Sequence, residues 1–395
     1  MTEFNLEMSR RLEALRAEGL YRALLEVDSP QSPHIQIAGQ WFLNFSSNDY
    51  LGLANEPRLK EAAKEVIDKF GVGAGASRLI CGSLMPFHRL EEALARFKGT
   101  EAALSFSSGY ATALGTIGAV LARDDIIIID KLVHACIVDA ARLCGAKLRV
   151  FAHNDLNDLE KILQWAQAQR ISATPKRRVL IATESLFSMD GDLAPLRELV
   201  ELKEKYGAWL MLDEAHATGL FGANRRGLAE AEGVADRIEI QMGTMGKALG
   251  VAGGYICGSR ALIEFLINRA RSFIFSTAPV PTAAAAATAA LGLVQSGEGA
   301  RRCAQLWERV EQLRNGLANT QWAIPKSRSA IIPLIVGQPE KAVKMAEELR
   351  AEGVYVPAIR YPTVARDQAR LRITMTAGHT AEEVGKLVEA VKRCA

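Results

Sequence analysis

Trp209-Leu210-Met211-Leu212-Asp213-Glu214-Ala215-His216-Ala217-Thr218-Gly219 is an apolar run that ends on an acid and passes into a turn of small residues. Four consecutive apolar residues read as a strand buried on both faces, the form strands take in a parallel sheet covered by helices. Further strands are read at 102–106, 126–129, 147–151, 179–183, 238–242 and 254–257, several of them near-continuous apolar runs. Helical periodicity separates them, at 57–69, 86–98 and 111–122. This alternation from residue 57 onward predicts an α/β domain with a largely parallel sheet sandwiched by helices. Ligands in such sheets bind beyond the carboxyl ends of the strands, so the polar loops there are the place to look for chemistry.

Outward from that domain, leucines at helical spacing over 4–25 predict an amphipathic N-terminal arm, and 35–37 with 41–45 predict a short β-hairpin. The alanine run 283–287 lies in a strong helix former and is expected to begin a long helix leading to a C-terminal domain. Helices at 301–319 and 340–352 and strands at 330–336 and 371–375 make that domain α+β. The expected divisions are 1–56, 57–289 and 290–395.

The 395 residues are 49% hydrophobic and 24% charged with a net charge of +3, ordinary values for a globular chain and without a nucleic-acid footprint. The six cysteines, Cys81, Cys136, Cys144, Cys257, Cys303 and Cys394, show no metal-type spacing and read as free thiols. No apolar run approaches the ~20 residues of a membrane span, and the N-terminus lacks a signal-peptide core. A cytoplasmic protein is expected.

A carboxylate at the end of a buried strand is costly unless it meets a cation or caps a helix, and Asp213 admits both readings. Lys247, in Gly243-Thr244-Met245-Gly246-Lys247-Ala248-Leu249-Gly250, has small and apolar neighbours that suit either a Schiff-base amine or a plain loop lysine. The stretch lacks the hydroxyl that follows the lysine of a Walker loop. Ser107-Ser108-Gly109-Tyr110 opens a helix after a strand, an arrangement in which unpaired N–H groups receive anions. The glycine-rich loop 71–78 is a weaker candidate for the same role. His134 and Ser188 follow two further strands. Metal hydrolysis is disfavoured because no His-x-x-x-His occurs, and a serine hydrolase because Gly-x-Ser-x-Gly is absent. An amine, a strand-end acid, a helix-start anion site and a histidine are together the parts that pyridoxal phosphate requires.

The motifs Asn44-Phe45-Ser46-Ser47-Asn48-Asp49-Tyr50-Leu51-Gly52-Leu53, Phe151-Ala152-His153-Asn154-Asp155, 187–192, 213–219, 243–247 and Ala369-Arg370-Leu371-Arg372 resemble the α-oxoamine synthase family of fold-type I pyridoxal-phosphate enzymes. The resemblance runs from about residue 20 to the C-terminus. It implies that Lys247 holds the cofactor aldehyde, Asp213 pairs with the ring nitrogen and His134 stacks on the ring. By the same resemblance His216 and Ser188 meet the phenolic oxygen, and Thr244, Gly109 and Tyr110 the phosphate. Ser276 and Thr277 reach a cofactor across a homodimer interface. Asn48 and Arg372 meet the amino-acid carboxylate, and Arg22 and Thr363 the acyl substrate. Tyr110 and Ala217 depart mildly from the commonest pattern. The segment 356–364 resembles the branch that joins L-alanine to a pimeloyl thioester, carried by coenzyme A or by an acyl carrier protein. The alternatives are a glycine-using branch, or a non-catalytic partner subunit, which would be expected to lack Lys247.

Overall fold

The N-terminal helix runs only from Glu3 to Ala17, with the Thr2 hydroxyl accepting from Asn5 N at its start. Periodicity over 4–25 overestimates it because Gly19 takes a left-handed φ of 67°, the conformation that ends helices. The hairpin forms as β1 (His34–Ile37) and β2 (Gln40–Asn44), antiparallel with Ile37 opposite Gln40. Both turn residues, Ala38 and Gly39, have positive φ, as a two-residue hairpin loop of this hand demands. The structure, a computed structural model, describes residues 1–171, 177–318, 320–322, 324 and 328–394.

Seven strands follow: β3 (Ala102–Phe106), β4 (Ile126–Asp130), β5 (Lys147–Phe151), β6 (Val179–Glu184), β7 (Trp209–Asp213), β8 (Ile240–Thr244) and β9 (Gly254–Gly258). They form one sheet in the order β3-β9-β8-β7-β6-β4-β5, with β9 the single antiparallel member. Ile126–Ile129, Leu180–Ile181 and Leu210–Leu212 are buried, so the apolar runs do lie between two layers of helices. β8 begins two residues later than its apolar pattern because Ala235–Arg237 form a 3-10 turn that Ile238 caps. It extends to Thr244 through pairing with β9, where Thr244 faces Gly254. The helix after β3 starts at Gly109, two residues earlier than expected, capped by Ser108. The alanine run lies in helix Pro281–Gln295, which stops there rather than continuing. Ser296 is extended, and its hydroxyl donates to Leu293 O before the helix Gly297–Leu317 begins. Of the helix expected over 301–319, residue 319 lies outside the described residues.

The remaining strands are β10 (Ile331–Gly337), β11 (Val354–Tyr355), β12 (Ala358–Ile359) and β13 (Ala369–Thr374). β13 pairs antiparallel with β10 on one side and β12 on the other. β11 adds to the N-terminal hairpin, parallel to β2, with Val354 opposite Leu43. Helix Ala381–Arg393 starts in a reciprocal capping box between Thr380 and Glu383. Two compact units result, one of residues 1–47, 189–191 and 305–395, the other of 48–188 and 192–304. The divisions read from sequence fall at 56 and 289; in the structure the hairpin keeps company with the C-terminal strands because β2 is paired to β11.

The cysteines are free thiols. Among the described residues no helix is long and apolar enough to cross a membrane, and no cluster of His, Cys, Asp and Glu could hold a metal.

Candidate active site

In the larger unit, Asp213 ends β7 at 5% exposure, and its Oδ1 accepts one hydrogen bond, 2.9 Å from Ala215 N. Parallel pairing sets Glu184, the last residue of β6, directly beside it. Two buried carboxyls at neighbouring strand ends cannot both ionise freely. Burial raises the Asp213 pKa, and the charge of Lys247, the Ala215 N–H and His134 pull it back. Glu184 is pushed up to about 8 by burial and by Asp213, against the His134 N–H and Lys247. His134 caps helix Ala135–Leu143; its backbone N–H donates to Glu184 Oε1, and its Nδ1 accepts from Cys136 N at 3.2 Å. His134 is exposed overall, yet partial desolvation lowers its pKa, opposed by Asp213.

Lys247 stands in the tight loop that follows β8. Gly250 N bonds Lys247 O at 2.8 Å, Val251 N bonds Met245 O, and Met245 N bonds Gly253 O. Gly250 has φ of 67°, and a Cβ there would come within 2.5 Å of the Leu53–Ala54 backbone, so the loop can seat only with glycine. Thr244 Oγ1 donates to Gly253 O at 2.8 Å and accepts from Gly246 N at 3.2 Å.

Thr244 also borders the helix start. A Cβ on Gly109 would lie 3.8 Å from the Thr244 Cβ, and one on Gly254 would collide with the Gly109 backbone at 2.8 Å. The loop of Ser107–Tyr110 thus rests on β9 because Gly254 has no side chain. Ser108 Oγ takes the Ala111 N–H at 3.1 Å, leaving the N–H groups of Gly109 and Tyr110 at the first helical positions with no intrahelical acceptor. The Tyr110 hydroxyl points elsewhere, to Asp139 at 2.6 Å.

His216 is buried with Nδ1 2.5 Å from the Tyr50 hydroxyl, which in turn lies 3.4 Å from Asn48 Oδ1. Ser188 is half-buried in the loop after β6. Ser276 and Thr277 are exposed, with Thr277 bridged to Ser77 of the glycine-rich loop and Ala278 N bonded to Ala76 O. That loop has a local structural function: Arg78 holds Glu91 with two bonds, of 2.9 and 3.0 Å. In the smaller unit Arg22 Nη2 donates to Thr363 Oγ1 at 3.2 Å, joining two residues 341 apart in sequence. Arg372, on β13, is buried and donates to Thr374 Oγ1 at 2.9 Å.

Glu184 and Tyr50 are absent from the sequence-derived site. Glu184 lies one residue past the apolar run 179–183, and a strand-end acid beside another is a signal once the two strands are known to pair. Tyr50 lies in the motif 44–53, and its bond to His216 brings it into the site.

These residues fit pyridoxal phosphate. A desolvated carboxyl suits a ring N–H, an amine loop adjoins it, and paired N–H groups beside a hydroxyl suit a phosphate. Residues 41–391 match the family model for class I and II aminotransferases. The chain belongs to that family and is a fold-type I transferase that uses pyridoxal phosphate. Within it, the chain is 46% identical over 380 residues to the 8-amino-7-oxononanoate synthase of Geotalea daltonii, covering 96% of this chain and 95% of that one. The serine palmitoyltransferase of S. paucimobilis, solved with a bound PLP–myriocin aldimine, superposes with a TM-score of 0.91 at 28% identity over 98% of this chain and 96% of that chain. The 8-amino-7-oxononanoate synthase of Francisella tularensis gives 0.75 at 27% identity over 89% and 97%.

Proposed function

We propose that this protein condenses L-alanine with a pimeloyl thioester, releasing carbon dioxide and the carrier thiol, to form 8-amino-7-oxononanoate for biotin synthesis. The observation that carries the reading is the buried Asp213 within electrostatic reach of Lys247, in a chain 46% identical to a synthase of that name. Pyridoxal phosphate, when bound, supplies a carbonyl for the amine and an electron sink for the bonds at the amino-acid Cα.

The residues of the chain do the rest. Asp213 would hold a proton on the ring nitrogen, because burial makes an unpartnered carboxylate there unfavourable. His134 would cover one ring face, and His216, oriented by Tyr50, would meet the phenolic oxygen together with Ser188. Gly109 and Tyr110 N–H groups with Thr244 Oγ1 would hold the phosphate, joined by Ser276 and Thr277 of a second copy in a homodimer. The amine of Lys247 would hold the cofactor carbonyl and, when free, would be the base that takes the proton from alanine Cα and later returns one to the product carbon. The resemblance assigns Asn48 and Arg372 to the amino-acid carboxylate, and Arg22 with Thr363 to the acyl chain.

Thiol release tests the reading. The loaded protein should release thiol from pimeloyl-coenzyme A with L-alanine, and not from acetyl- or succinyl-coenzyme A with glycine. Release with a glycine pair would move the protein to a glycine-using branch. A faster reaction with the acyl carrier protein thioester would identify the carrier.

A further inference from the structure

The motif Ala152-His153-Asn154-Asp155 takes no part in the reading above, yet His153 has a carboxylate on each ring nitrogen. Nδ1 lies 2.9 Å from Asp130 Oδ1, and Nε2 lies 2.7 Å from Asp192 Oδ2. A neutral imidazole carries one N–H, so a ring between two carboxylates serves both only as a cation. Burial opposes that cation, and the two carboxylates outweigh it, taking the His153 pKa up to about 10. Phe187 packs edge-on to the ring, its centroid 4.4 Å away.

Both carboxylates are tied to backbone that leads into the site. Asp130 ends β4, is wholly buried, and accepts from Leu132 N at 2.7 Å and Asn154 N at 2.9 Å. Four residues on stands His134. Asp192 closes the loop after β6. Its carbonyl accepts from Phe187 N at 3.0 Å, Leu186 bridges Leu193, and Ser188 lies inside the loop so formed. Asn154 completes the arrangement with Nδ2 bonds to Asp192 Oδ2 at 3.0 Å and Leu193 O at 3.1 Å. Its φ of 54° is one that asparagine tolerates.

We propose that His153 is a positioning residue, an imidazolium strut that spaces the loops carrying His134 and Ser188 by bridging Asp130 to Asp192. It touches neither cofactor nor substrate; it sets how firmly those loops grip the cofactor ring, and so rests on the pyridoxal-phosphate reading of the site.

The test uses the full chain in wild-type, His153→Gln and Asp192→Asn forms. Pyridoxal-phosphate affinity is read by fluorescence titration, folding by thermal melts, and ring protonation by long-range ¹H–¹⁵N spectra of histidine-labelled wild type. We expect both His153 nitrogens to be protonated at pH 8. Affinity should weaken by about ten-fold or more in His153→Gln, the scale of a lost charge-assisted bond, and less in Asp192→Asn. A structural histidine alone would move the melting temperature without moving the affinity. A neutral His153 tautomer at pH 8, or wild-type affinity in both variants, overturns the proposal. If His153→Gln does not fold, Asp192→Asn, which removes the charge from one end of the strut, decides it. Wild type that takes up no pyridoxal phosphate would instead overturn the cofactor reading, and this proposal with it.

Discussion

Asp213 and Glu214 are adjacent, both buried and both acidic, and the protein treats them in opposite ways. Glu214 is closed off: Lys98 Nζ lies 2.5 Å from Oε2, Ala229 N donates to Oε1 at 2.9 Å, and Lys98 also donates to Arg226 O. Gly227, at φ 139°, brings its backbone so near that a Cβ would lie 2.5 Å from both carboxylate oxygens. No ligand could enter there. Asp213 receives one N–H bond, from Ala215, and meets its cations through space, so burial leaves its carboxyl raised. A buried acid with its partners built in is architecture, and one whose cation is left to be supplied is a binding feature. On the proposed function, Asp213 is the acid that faces the cofactor and Glu214 the one that is packed away.

The largest effects should come from the open side of this comparison. Lys247→Ala should lower thiol release by about a thousand-fold or more, since on the proposed function it would remove both the attachment point and the base. Wild-type turnover in that variant would break the assignment. Asp213→Asn should cost on the order of a hundred-fold or more in rate. It should nonetheless melt at or above the wild-type temperature, because an isosteric amide removes a poorly compensated buried carboxyl. A large fall in melting temperature would mean that Asp213 is as structural as its neighbour.

How much of this was legible beforehand depends on the range of the interaction concerned. The core strands could be read because Ile126–Ile129 and Leu210–Leu212 declare two-sided burial locally. The N-terminal helix was overlong because its leucines keep helical spacing past Gly19, and backbone conformation ended it where side-chain pattern did not. Glu184 escaped notice because its meaning comes from lying opposite Asp213 across a parallel pair, which no local pattern encodes. The Tyr50–His216 bond spans 166 residues and the Arg22–Thr363 bond 341. The second of these pairs was reached through family resemblance, since spacing at that distance carries no information.

The closed side predicts a loss of stability with little change in chemistry. Lys98→Met leaves Glu214 in the core without its cation, holding only the Ala229 N–H, which should cost about 3–5 kcal/mol in urea unfolding. The rate per folded molecule should fall far less than in Asp213→Asn, because the bonds of Lys98 run to Glu214 and Arg226 O and it bears on Asp213 only through Glu214. Adding Glu214→Leu to Lys98→Met should recover much of the loss, as an apolar pair in place of a buried ion pair often does. A double variant no more stable than the single one would mean that Glu214 holds Ala229 and Gly227 in place by more than charge.

The smallest effect is the most discriminating, because it reads the proton that burial holds on Glu184 beside Asp213. Glu184 is raised from its ordinary value near 4.5 to about 8. Between those values the folded protein keeps a proton that the unfolded chain releases, so this carboxyl's contribution to stability is full below 4.5 and falls as pH rises to about 8. The same sign applies to Asp213, whose pKa burial also raises. His153 adds a loss of the same sign between 6.5 and about 10, so the useful quantity is the difference between wild type and Glu184→Gln. Melts of the cofactor-free protein should show the variant gaining on wild type steadily from pH 5 to 8. A constant difference across that range would mean that Glu184 is ionised throughout. Lys247 would then already be committed to the carboxyls as Lys98 is to Glu214, and the distinction between an open acid and a closed one would collapse.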